Sequence, residues 1–165
     1  MAELNGVDLG FLPTMGVGSY ASPAWLIATR RAMRDGTAGS ADVEEAIEDA
    51  VRMAVWDQEA AGLSILTDGE MRRQRFLWNV VDKLSGLKIV RSARKLGVMS
   101  YDSAPHFETT ERIRAPNGFG LVEEFNFVRQ QTDKPLKVCC PGPLTVALPI
   151  IPKEGYRQHD YLPLL

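Results

Sequence analysis

The stretch DVEEAIEDAVRMAVWDQEAAGLSILTDGE, residues 42–70, decides the fold. Its first two-thirds carry valine, isoleucine and alanine at helical spacing, which predicts a helix with one buried stripe. Asp42 and, three positions later, Glu45 predict a capping box at the start of this helix. Gly62 is typical of the position just past a helix end, so we expect the helix over 42–61.

A short apolar run, LSILT at 63–67, follows this helix directly and predicts a buried strand. The acidic turn 68–70 ends the strand, and residues 71–84 return to the composition of a helix. Helix, buried strand, turn and helix in this order are typical of an α/β protein whose parallel sheet is covered on both faces. Functional groups in such sheets gather where the strands end, and Asp68 and Glu70 occupy such a position.

The rest of the chain predicts further elements of both kinds. Pro23 opens a helix over 24–34, and residues 91–114 predict a hairpin or a long excursion. The remaining patterns predict a loose arm at 1–10, strands at 88–90 and 136–140, a helix at 120–132 and the first turns of another helix at 156–165.

Composition and charge exclude several classes of protein. The 165 residues are 45% hydrophobic and 24% charged, which excludes a disordered chain and a membrane-spanning protein and suits one domain. Nineteen basic and 21 acidic side chains give a formal charge of −2, and no basic tract is interleaved with aromatic residues. We therefore expect neither nucleic acid nor a membrane as partner. The first residues lack the pattern of a secretion signal, so we expect a cytoplasmic protein.

The two cysteines, Cys139 and Cys140, are adjacent and cannot form a disulfide framework. Neighbours in a strand point to opposite faces, so we expect one of the pair to be packed inside the sheet rather than reactive. His106 and His159 are far apart, and no spacing typical of a zinc site is present. The sequence also lacks a P-loop, and GVGSYA lacks the third glycine of a dinucleotide-binding fingerprint.

Three clusters at strand ends are candidates for a binding site. Gly18 lets the backbone approach a ligand, and Ser19 with the amides around Val17 can donate to a carboxylate or a phosphate. The alternative for this cluster is a βα turn with a helix-capping serine. The second cluster, 67–70, offers a carboxylate for a substrate ammonium, or it is an ordinary turn with solvated acids. The third, 141–143, fixes the backbone beside a pocket or, as its prolines favour, forms a structural corner.

Three arginines, Arg72, Arg73 and Arg75, follow Glu70 closely. They either bind the anionic tail of a substrate or form a solvated helix face paired with acids. The sequence alone leaves both interpretations open.

Five segments resemble, in order and spacing, the start of the catalytic domain of cobalamin-independent methionine synthase and its smaller relatives. They are LPTMGVGSY at 12–20, DQEAAGL at 57–63, TDGEMRR at 67–73, KPLK at 134–137 and PGPLT at 141–145. Each segment is short, but together they extend over nearly the whole chain.

This resemblance implies a (β/α)8 barrel that transfers a methyl group from 5-methyltetrahydropteroylglutamate to the thiol of homocysteine without cobalamin. It also implies a zinc ion that binds the thiol as a thiolate and makes it nucleophilic. In the family, a glycine-serine turn holds the carboxylate of the amino acid, a role that carries over to Val17, Gly18 and Ser19. The glutamate of the DGE turn holds the ammonium group, so Glu70 inherits that role. The proton donor that the leaving amine needs has no candidate here, so the catalytic residues stay unassigned.

The sequence departs from the family at the metal. The family's zinc ligands are a His and a Cys in a short HxC-type motif, an acidic residue and a distant cysteine, all from the later half of the barrel. None of these motifs is present. A barrel of this kind has about 250 residues, so we expect residues 1–165 to form its amino-terminal half, about four strand–helix units with no separate second domain. An open half barrel exposes sheet edges, which favours a complementary half-barrel chain or a homodimer as partner.

Two alternatives stay open beside this methyltransferase. Relatives apply the same zinc-thiolate chemistry to other thiols, for example to coenzyme M attacking an epoxide, so the chain is alternatively such a thiol alkyl transferase. Otherwise it is a catalytically inert half-barrel fragment or an interaction module. The sequence does not decide whether the chain is active alone.

Overall fold

The computed structural model describes residues 2–4, 6–74, 78–90 and 106–152. The chain divides into two compact units: unit 1 comprises Met1–Gln74 and Leu121–Cys139, and unit 2 comprises Arg75–Gly120 and Cys140–Leu165. Unit 1 contains β1 (Ala2–Leu4), β2 (Val7–Gly10), α1 (Ala24–Arg34), α2 (Ser40–Ala60) and α3 (Leu121–Arg129). Unit 2 contains a 3-10 helix (Trp78–Lys83), β3 (Ser85–Val90), β4 (His106–Arg114), α4 (Pro143–Ala147) and β5 (Ile150–Ile151).

The core of unit 1 packs the apolar stripe of α2 against α1 and α3. The helical spacing predicts seven residues for the stripe, of which six are buried and Ala46 is partly buried: Val43, Ile47, Ala50, Val51, Ala54 and Val55 are the buried ones. Leu26 from α1, Val128 from α3, Leu66 and Met71 complete the buried cluster and are at most 4% exposed. Burying a valine or leucine side chain contributes about 1.5–3 kcal/mol, so this stripe is a large favourable term in the folding of unit 1.

The sequence predicts one end of α2 correctly and the other end wrongly. Gly62 follows the helix with a φ of +74°, and its amide nitrogen lies 2.9 Å from the carbonyl oxygen of Glu59, as expected of a helix-ending glycine. At the other end, the predicted capping box of Asp42 and Glu45 is wrong. The helix begins two residues earlier, and Oδ2 of Asp42 accepts the amide of Gly39 at 2.6 Å. A carboxylate at the third helical position satisfies the amide of the N-cap residue from inside the helix, so the helix begins at Ser40.

Other predicted elements of unit 1 have simpler outcomes. The bounds of α1 coincide with the predicted helix at 24–34, and α3 lies within the predicted helix at 120–132. The arm predicted at 1–10 is instead an antiparallel pair of β1 and β2. Gly6, with a φ of +80°, turns the chain between the two strands.

Three extended segments of unit 1 lie side by side in parallel. Met15 bridges Ile65, and Leu66 bridges Leu136, so the segment around residue 65 lies between the other two. Bridges between parallel neighbours are the arrangement that the sequence predicts for this region. The strands expected over 63–67 and 136–140 are not formed in full, because each two neighbouring segments are joined by one bridging pair of residues.

The parallel direction of these segments brings their carboxyl ends to the same edge. The amide of Lys137 donates to the carbonyl of Leu66 at 2.8 Å, which continues the pairing to this edge. Functional side chains are therefore expected in the residues that follow each segment, at 16–19, 67–70 and 137–139.

The described parts of residues 71–84 do not form the continuous helix that their composition predicts. Positions 71–74 are turns and bends, the 3-10 helix comes later, and residues 75–77 lie outside the described part of the chain. The amide of Arg73 donates to the carbonyl of Glu70 at 3.0 Å, which closes a single tight turn. Glu70 itself has a φ of +55°, which is outside the helical range, so a helix does not begin at this residue.

Unit 2 has its own core and its own small sheet. β3 pairs with β4 in antiparallel fashion, and β5 joins β4 in parallel, so the order is β3-β4-β5. Its core consists of Val80, Val81, Phe107, Ile113, Val146 and Ile150. β3 confirms the strand predicted at 88–90, and β4 pairs with it. Residues 91–105 lie outside the described part of the chain, so the choice between a hairpin and a long excursion within 91–114 stays a prediction. The helix predicted at 156–165, like His159 within it, lies outside the described residues.

Helices packed on parallel segments and a small sheet make this an α/β protein, as the sequence predicts. The count of four strand–helix units stays a prediction. None of the described helices combines the length and the apolar character that crossing a membrane requires.

Candidate ligand-binding site

Gly18 lies in a space that is too small for any side chain. It is buried, and a β-carbon added there would stand 2.7 Å from Oε1 of Glu70 and 2.9 Å from Sγ of Cys139. Both distances are under 3.0 Å, which β-carbons essentially never show. A glycine at this position lets the backbone meet Glu70 directly, which is the close approach that the sequence predicts for Gly18.

Residues 16–19, here called the Gly18 turn, are held by their carbonyl groups. Nζ of Lys137 donates to the carbonyls of Gly16 and Val17, each at 2.7 Å. Oγ1 of Thr67 donates to the carbonyl of Gly18 at 3.3 Å. Three successive carbonyls therefore bind donors that come from the two other parallel segments.

These carbonyl contacts decide where the amides of the same turn point. In a trans peptide, the C=O and the N–H that follows it point in opposite directions, and no described peptide bond is cis. The N–H groups of Val17, Gly18 and Ser19 therefore point away from Lys137 and Thr67. No described residue accepts a hydrogen bond from these three amides. Successive free amides form a concavity that favours an anion.

Gln58 of α2 fixes the backbone of Thr67 from inside the core. Its side chain is fully buried, and its Oε1 accepts the amide of Thr67 at 2.9 Å. Its Nε2 donates to the carbonyls of Thr67 at 2.8 Å and of Ala54 at 2.7 Å. Sequence reasoning assigned no role to Gln58, although a glutamine among the apolar positions of an amphipathic helix is the signal that would have found it.

Glu70 has a backbone conformation that glutamate rarely adopts. Its φ is +55°, directly after Gly69 at +66°, and its amide donates to Oδ1 of Asp68 at 3.0 Å. A left-handed conformation costs a residue other than glycine about 1–2 kcal/mol. Strain of this kind is concentrated at functional sites, and here it belongs to the turn that carries the Glu70 carboxylate to Gly18.

The carboxylate of Glu70 is buried and only half paired. Its side chain is 6% exposed, and Oε1 lies 3.1 Å from Nη1 of Arg73. Oε2 is also buried, and no described residue forms a hydrogen bond with it. A buried acceptor without a partner costs about 1–3 kcal/mol, so this oxygen is positioned to accept a donor from a ligand.

The arginines after Glu70 pair with acids, but they are not a solvated helix face. The side chain of Arg73 is 7% exposed, donates to the carbonyl of Cys139 and lies 3.9 Å from Oε2 of Glu124 in addition to its contact with Glu70. Arg72 pairs with an exposed glutamate of α2, and its guanidinium lies 5.1 Å from the ring centre of Phe127. Arg75 lies outside the described residues.

The prediction that one of the two cysteines is packed in the interior is wrong. Cys139 is partly exposed and Cys140 is exposed, and both thiols are free. The pairing with the neighbouring segment is short, so Cys139 reaches the carboxyl edge, where its Sγ lies 3.5 Å from the carbonyl oxygen of Val17. Partial burial raises the pKa of the Cys139 thiol, and the Glu70 carboxylate raises it further, while Lys137 and Arg73 act in the opposite direction.

The structure brings together some of the predicted site residues and leaves others at the surface. Gly18 and Glu70 are buried against one another, whereas Val17 is 94% exposed and Ser19 is exposed. Val17 therefore offers its backbone, and Ser19 its amide and hydroxyl, to a ligand. The Pro-Gly-Pro cluster at 141–143 is a structural corner, as favoured: its glycine is the N-cap of α4, and Pro143 is the first helical residue.

A small depression lies beside this edge of unit 1 and has room for about one water molecule. Three charged side chains line it, those of Asp68, Glu124 and Lys137, together with apolar side chains from Phe125, Val128, Leu136 and Val138. Charged and apolar groups therefore meet at this edge.

The described residues do not fit a zinc site. In the described ranges, no three side chains of His, Cys, Asp or Glu are placed to hold a metal ion together. Cys139 and Glu70 supply two donors at most, whereas a zinc site needs three or four protein ligands.

The fold and this edge together define a class: an α/β protein with parallel segments whose carboxyl ends lie at one edge. The particular family follows from comparison with known proteins. The chain belongs to the cobalamin-independent synthase catalytic domain family, whose model matches residues 12–162.

Methionine synthases of archaea are similar to this chain. It is 36% identical over 141 residues to the methionine synthase of Sulfolobus acidocaldarius, covering 85% of this chain and 40% of that protein. It is 32% identical over 142 residues to the methionine synthase of Pyrococcus abyssi, covering 86% and 41% of the two chains. The chain thus spans about two-fifths of the length of the curated relatives it matches.

Two solved structures share the fold. The B12-independent methionine synthase of Shewanella sp. W3-18-1, in complex with selenomethionine, superimposes with a TM-score of 0.70 at 25% identity over 92% of this chain and 44% of that one. The putative vitamin-B12-independent methionine synthase of Listeria monocytogenes gives a TM-score of 0.64 at 21% identity over 89% and 40% of the chains.

Proposed function

We propose that this chain binds the amino acid for methyl transfer from 5-methyltetrahydropteroylglutamate to homocysteine. In this proposal, residues 1–165 form the amino-terminal part of a (β/α)8 barrel in a cytoplasmic enzyme of methionine biosynthesis that uses no cobalamin. Family membership and the archaeal methionine synthases support the reaction. The geometry of the Gly18 turn and Glu70 supports the binding role.

The single observation that carries the proposal is the contact between Gly18 and Glu70. It sets three free amides, those of Val17, Gly18 and Ser19, next to a buried carboxylate oxygen that lacks a partner. An α-amino acid presents a carboxylate and an ammonium group only a few bonds apart. The amides would hold the first and Oε2 of Glu70 would hold the second, each through charge-assisted hydrogen bonds.

In this arrangement, the chain orients its substrate. Two charged contacts at one end of a small molecule fix the direction of its thiol, which lowers the entropic part of the barrier to transfer. The buried position of Glu70 keeps water from competing for Oε2, so the ammonium group gains more there than at the surface.

Zinc supplies the thiolate chemistry of the family, but we assign no residue of this chain to it, because the described residues do not fit the metal. We propose instead that a complementary half-barrel chain completes the enzyme, since a second copy of this chain would lack the same zinc motifs. A complementary chain that carries an HxC-type motif is expected to restore zinc binding and methyl transfer in the mixture. A mixture that shows neither would contradict this part of the proposal.

The binding role is tested by calorimetric titration of L-homocysteine, under reducing conditions, into the chain and into Glu70→Gln. Removing the charge that faces the ammonium group is expected to weaken binding about 10- to 100-fold, since hydrogen bonds to charged groups contribute about 1.5–3 kcal/mol. Glu44→Gln is the matched control, because Glu44 also pairs with an arginine but is 55% exposed and remote in sequence from the Gly18 turn. Equal affinity of the chain and Glu70→Gln, or no binding to either, would contradict the proposal.

The same titration separates the alternatives. Coenzyme M carries a sulfonate and no ammonium group, so an alkyl transferase for such thiols would bind 2-mercaptoethanesulfonate more tightly than homocysteine, and Glu70→Gln would not weaken that binding. An inert interaction module would bind neither thiol. The exposed apolar side chains of Phe11 and Leu12, 85% and 77% exposed, would then favour a stable dimer, which sedimentation measures.

A further inference from the structure

Lys137 is a charged residue at this site to which neither the sequence analysis nor the proposed function gives a role. It lies between Leu136, which pairs with the central parallel segment, and the edge that carries Cys139. Its ammonium group donates to the carbonyls of Gly16 and Val17, as described above. The segment of Lys137 and the segment of the Gly18 turn lie on opposite sides of the central parallel segment. Lys137 therefore connects these two outer segments.

The ammonium group of Lys137 has an unused donor and no acidic partner. It carries three N–H groups, of which the two carbonyls take two. Among the described residues, no carboxylate lies within 4.0 Å of Nζ, whereas Lys88, for comparison, pairs with Glu108 at 2.7 Å. A half-buried cation is disfavoured unless an anion or a set of hydrogen bonds compensates it, so this group favours an anion nearby.

The charges around Cys139 show that Lys137 belongs to the same cluster as Glu70 and Arg73. Lys137 and Arg73 lower the pKa of the Cys139 thiol, and Glu70 raises it, so the thiol lies within electrostatic reach of both signs of charge. Arg73 is engaged by Glu70, which leaves Lys137 as the unpaired cation of this described cluster. The free amides of the Gly18 turn, which favour an anion, belong to the same turn that Lys137 holds.

We propose that Lys137 selects the charged carboxylate of the ligand at this site. It does so in two ways: it fixes the carbonyls of Gly16 and Val17 so that the amides of the same peptides point outward, and its positive charge on the carbonyl side of the turn adds to the positive potential at these amides. The ligand class is then a free α-amino acid, and an amino-acid amide or ester is rejected. This inference rests on the proposed binding function and adds a specificity-determining residue to it.

The test compares three probes in calorimetric titrations: L-methionine, L-methioninamide, which lacks the carboxylate charge, and 4-(methylthio)butanoate, which lacks the ammonium group. The unaltered chain is expected to bind L-methionine at least tenfold more tightly than L-methioninamide. In Lys137→Gln, which keeps a donor but no charge, and in Lys137→Met, which keeps neither, this preference is expected to fall to about twofold or less.

A matched control is available on the same segment. Nζ of Lys134 donates to the carbonyl of Leu63 at 2.9 Å, three residues before Lys137 and at the opposite end of the pairing. Lys134→Met removes a lysine with the same kind of contact and is expected to keep the full preference. The melting temperature of each variant shows whether it is folded.

A measurement on the unaltered chain needs no variant. Acetylation of lysines, read by mass spectrometry, is expected to slow at Lys137 in the presence of saturating L-methionine, to slow less with L-methioninamide, and to be unchanged at Lys134. Full preference for L-methionine in a folded Lys137→Met, or unprotected Lys137 in the saturated chain, would overturn the inference.

The failure of this inference is distinguishable from that of the proposed function. If Glu70→Gln binds L-methionine as tightly as the unaltered chain while Lys137→Met loses the preference, Lys137 stands and the ammonium contact fails. If Glu70→Gln removes the preference for L-methionine over 4-(methylthio)butanoate, but Lys137→Met keeps the preference for L-methionine over L-methioninamide, the ammonium contact stands and the role of Lys137 fails. No binding of L-methionine at all would overturn both.

Discussion

Gly18 and Glu70 are so close that a β-carbon at position 18 would stand 2.7 Å from Oε1 of the carboxylate. Two residues that are 52 positions apart in the chain are therefore in direct contact. The amide of Tyr20, which donates to the carbonyl of Gly69 at 2.9 Å, joins the same two segments one step further on. The predictions below follow from this contact and from the groups that hold it.

Gly18→Ala is expected to destabilise the chain by about 1–3 kcal/mol, as overpacking does, and to abolish binding of L-homocysteine. The added methyl group collides with Glu70 and Cys139, so the turn or the carboxylate must move. Urea unfolding followed by circular dichroism measures the first effect and calorimetry the second. Gly16→Ala is the control, since its β-carbon would meet only Oε1 of Gln58, at an ordinary 3.7 Å. Equal behaviour of the two variants would refute the close contact.

Gln58→Leu is expected to lower the free energy of unfolding by about 2–4 kcal/mol. The apolar side chain fits the buried position, but the amide and the carbonyl of Thr67 lose their partners, and each buried unsatisfied group costs about 1–3 kcal/mol. Gln131→Leu serves as control, because Gln131 makes one partly buried contact, with the carbonyl of Phe127 at 3.3 Å. A loss no larger than that of the control would show that Gln58 does not fix Thr67.

Arg73→Met is expected to destabilise the chain by about 3–5 kcal/mol, because it leaves the carboxylate of Glu70 buried without its counter-ion. Arg72→Met removes a more exposed ion pair and a contact with an aromatic ring, so a smaller loss of about 1–2 kcal/mol is expected. Chemical denaturation at pH 7 measures both. A loss in Arg73→Met no larger than that in Arg72→Met would contradict the described pair.

The Cys139 thiol is expected to react slowly with iodoacetamide at pH 7–8, because its pKa is raised above the ordinary value. A thiol that is neutral in the folded state stabilises the chain below about pH 8.5, the ordinary pKa, and this contribution is lost as the pH rises through the raised value. The rate is measured in Cys140→Ser, which leaves one thiol. Glu70→Gln should speed the reaction and Lys137→Gln should slow it; the opposite order would show that these charges do not reach the thiol.

The sequence could predict elements whose cause is local. The stripe of α2, the bounds of α1 and the glycine that ends α2 all depend on spacing and on single-residue preferences, and they are confirmed. The helix predicted after Glu70 is absent at residues 71–74, where Arg73 instead makes a tertiary contact by donating to the carbonyl of Cys139. Helix propensity carries no information about such a contact.

The site was predictable in part. Resemblance to the family directed attention to the Gly18 turn and to Glu70, and the structure brings these together. Lys137 and Gln58 were missed because their role is to donate to backbone groups of other segments, which no local pattern reveals. Cys139 was misjudged because a strand of five residues was expected where the structure has one bridge.

The central claim is that the Gly18 turn and Glu70 grip the charged end of one amino acid, and a titration of the 15N- and 13C-labelled chain with L-methionine tests it most directly. The account predicts that the amide resonances of Val17, Gly18 and Ser19 shift together with the side-chain carboxyl resonance of Glu70, all with one dissociation constant. Saturation of the chain without shifts at these four residues, or shifts of the amides alone while the Glu70 carboxyl stays unchanged, would contradict it.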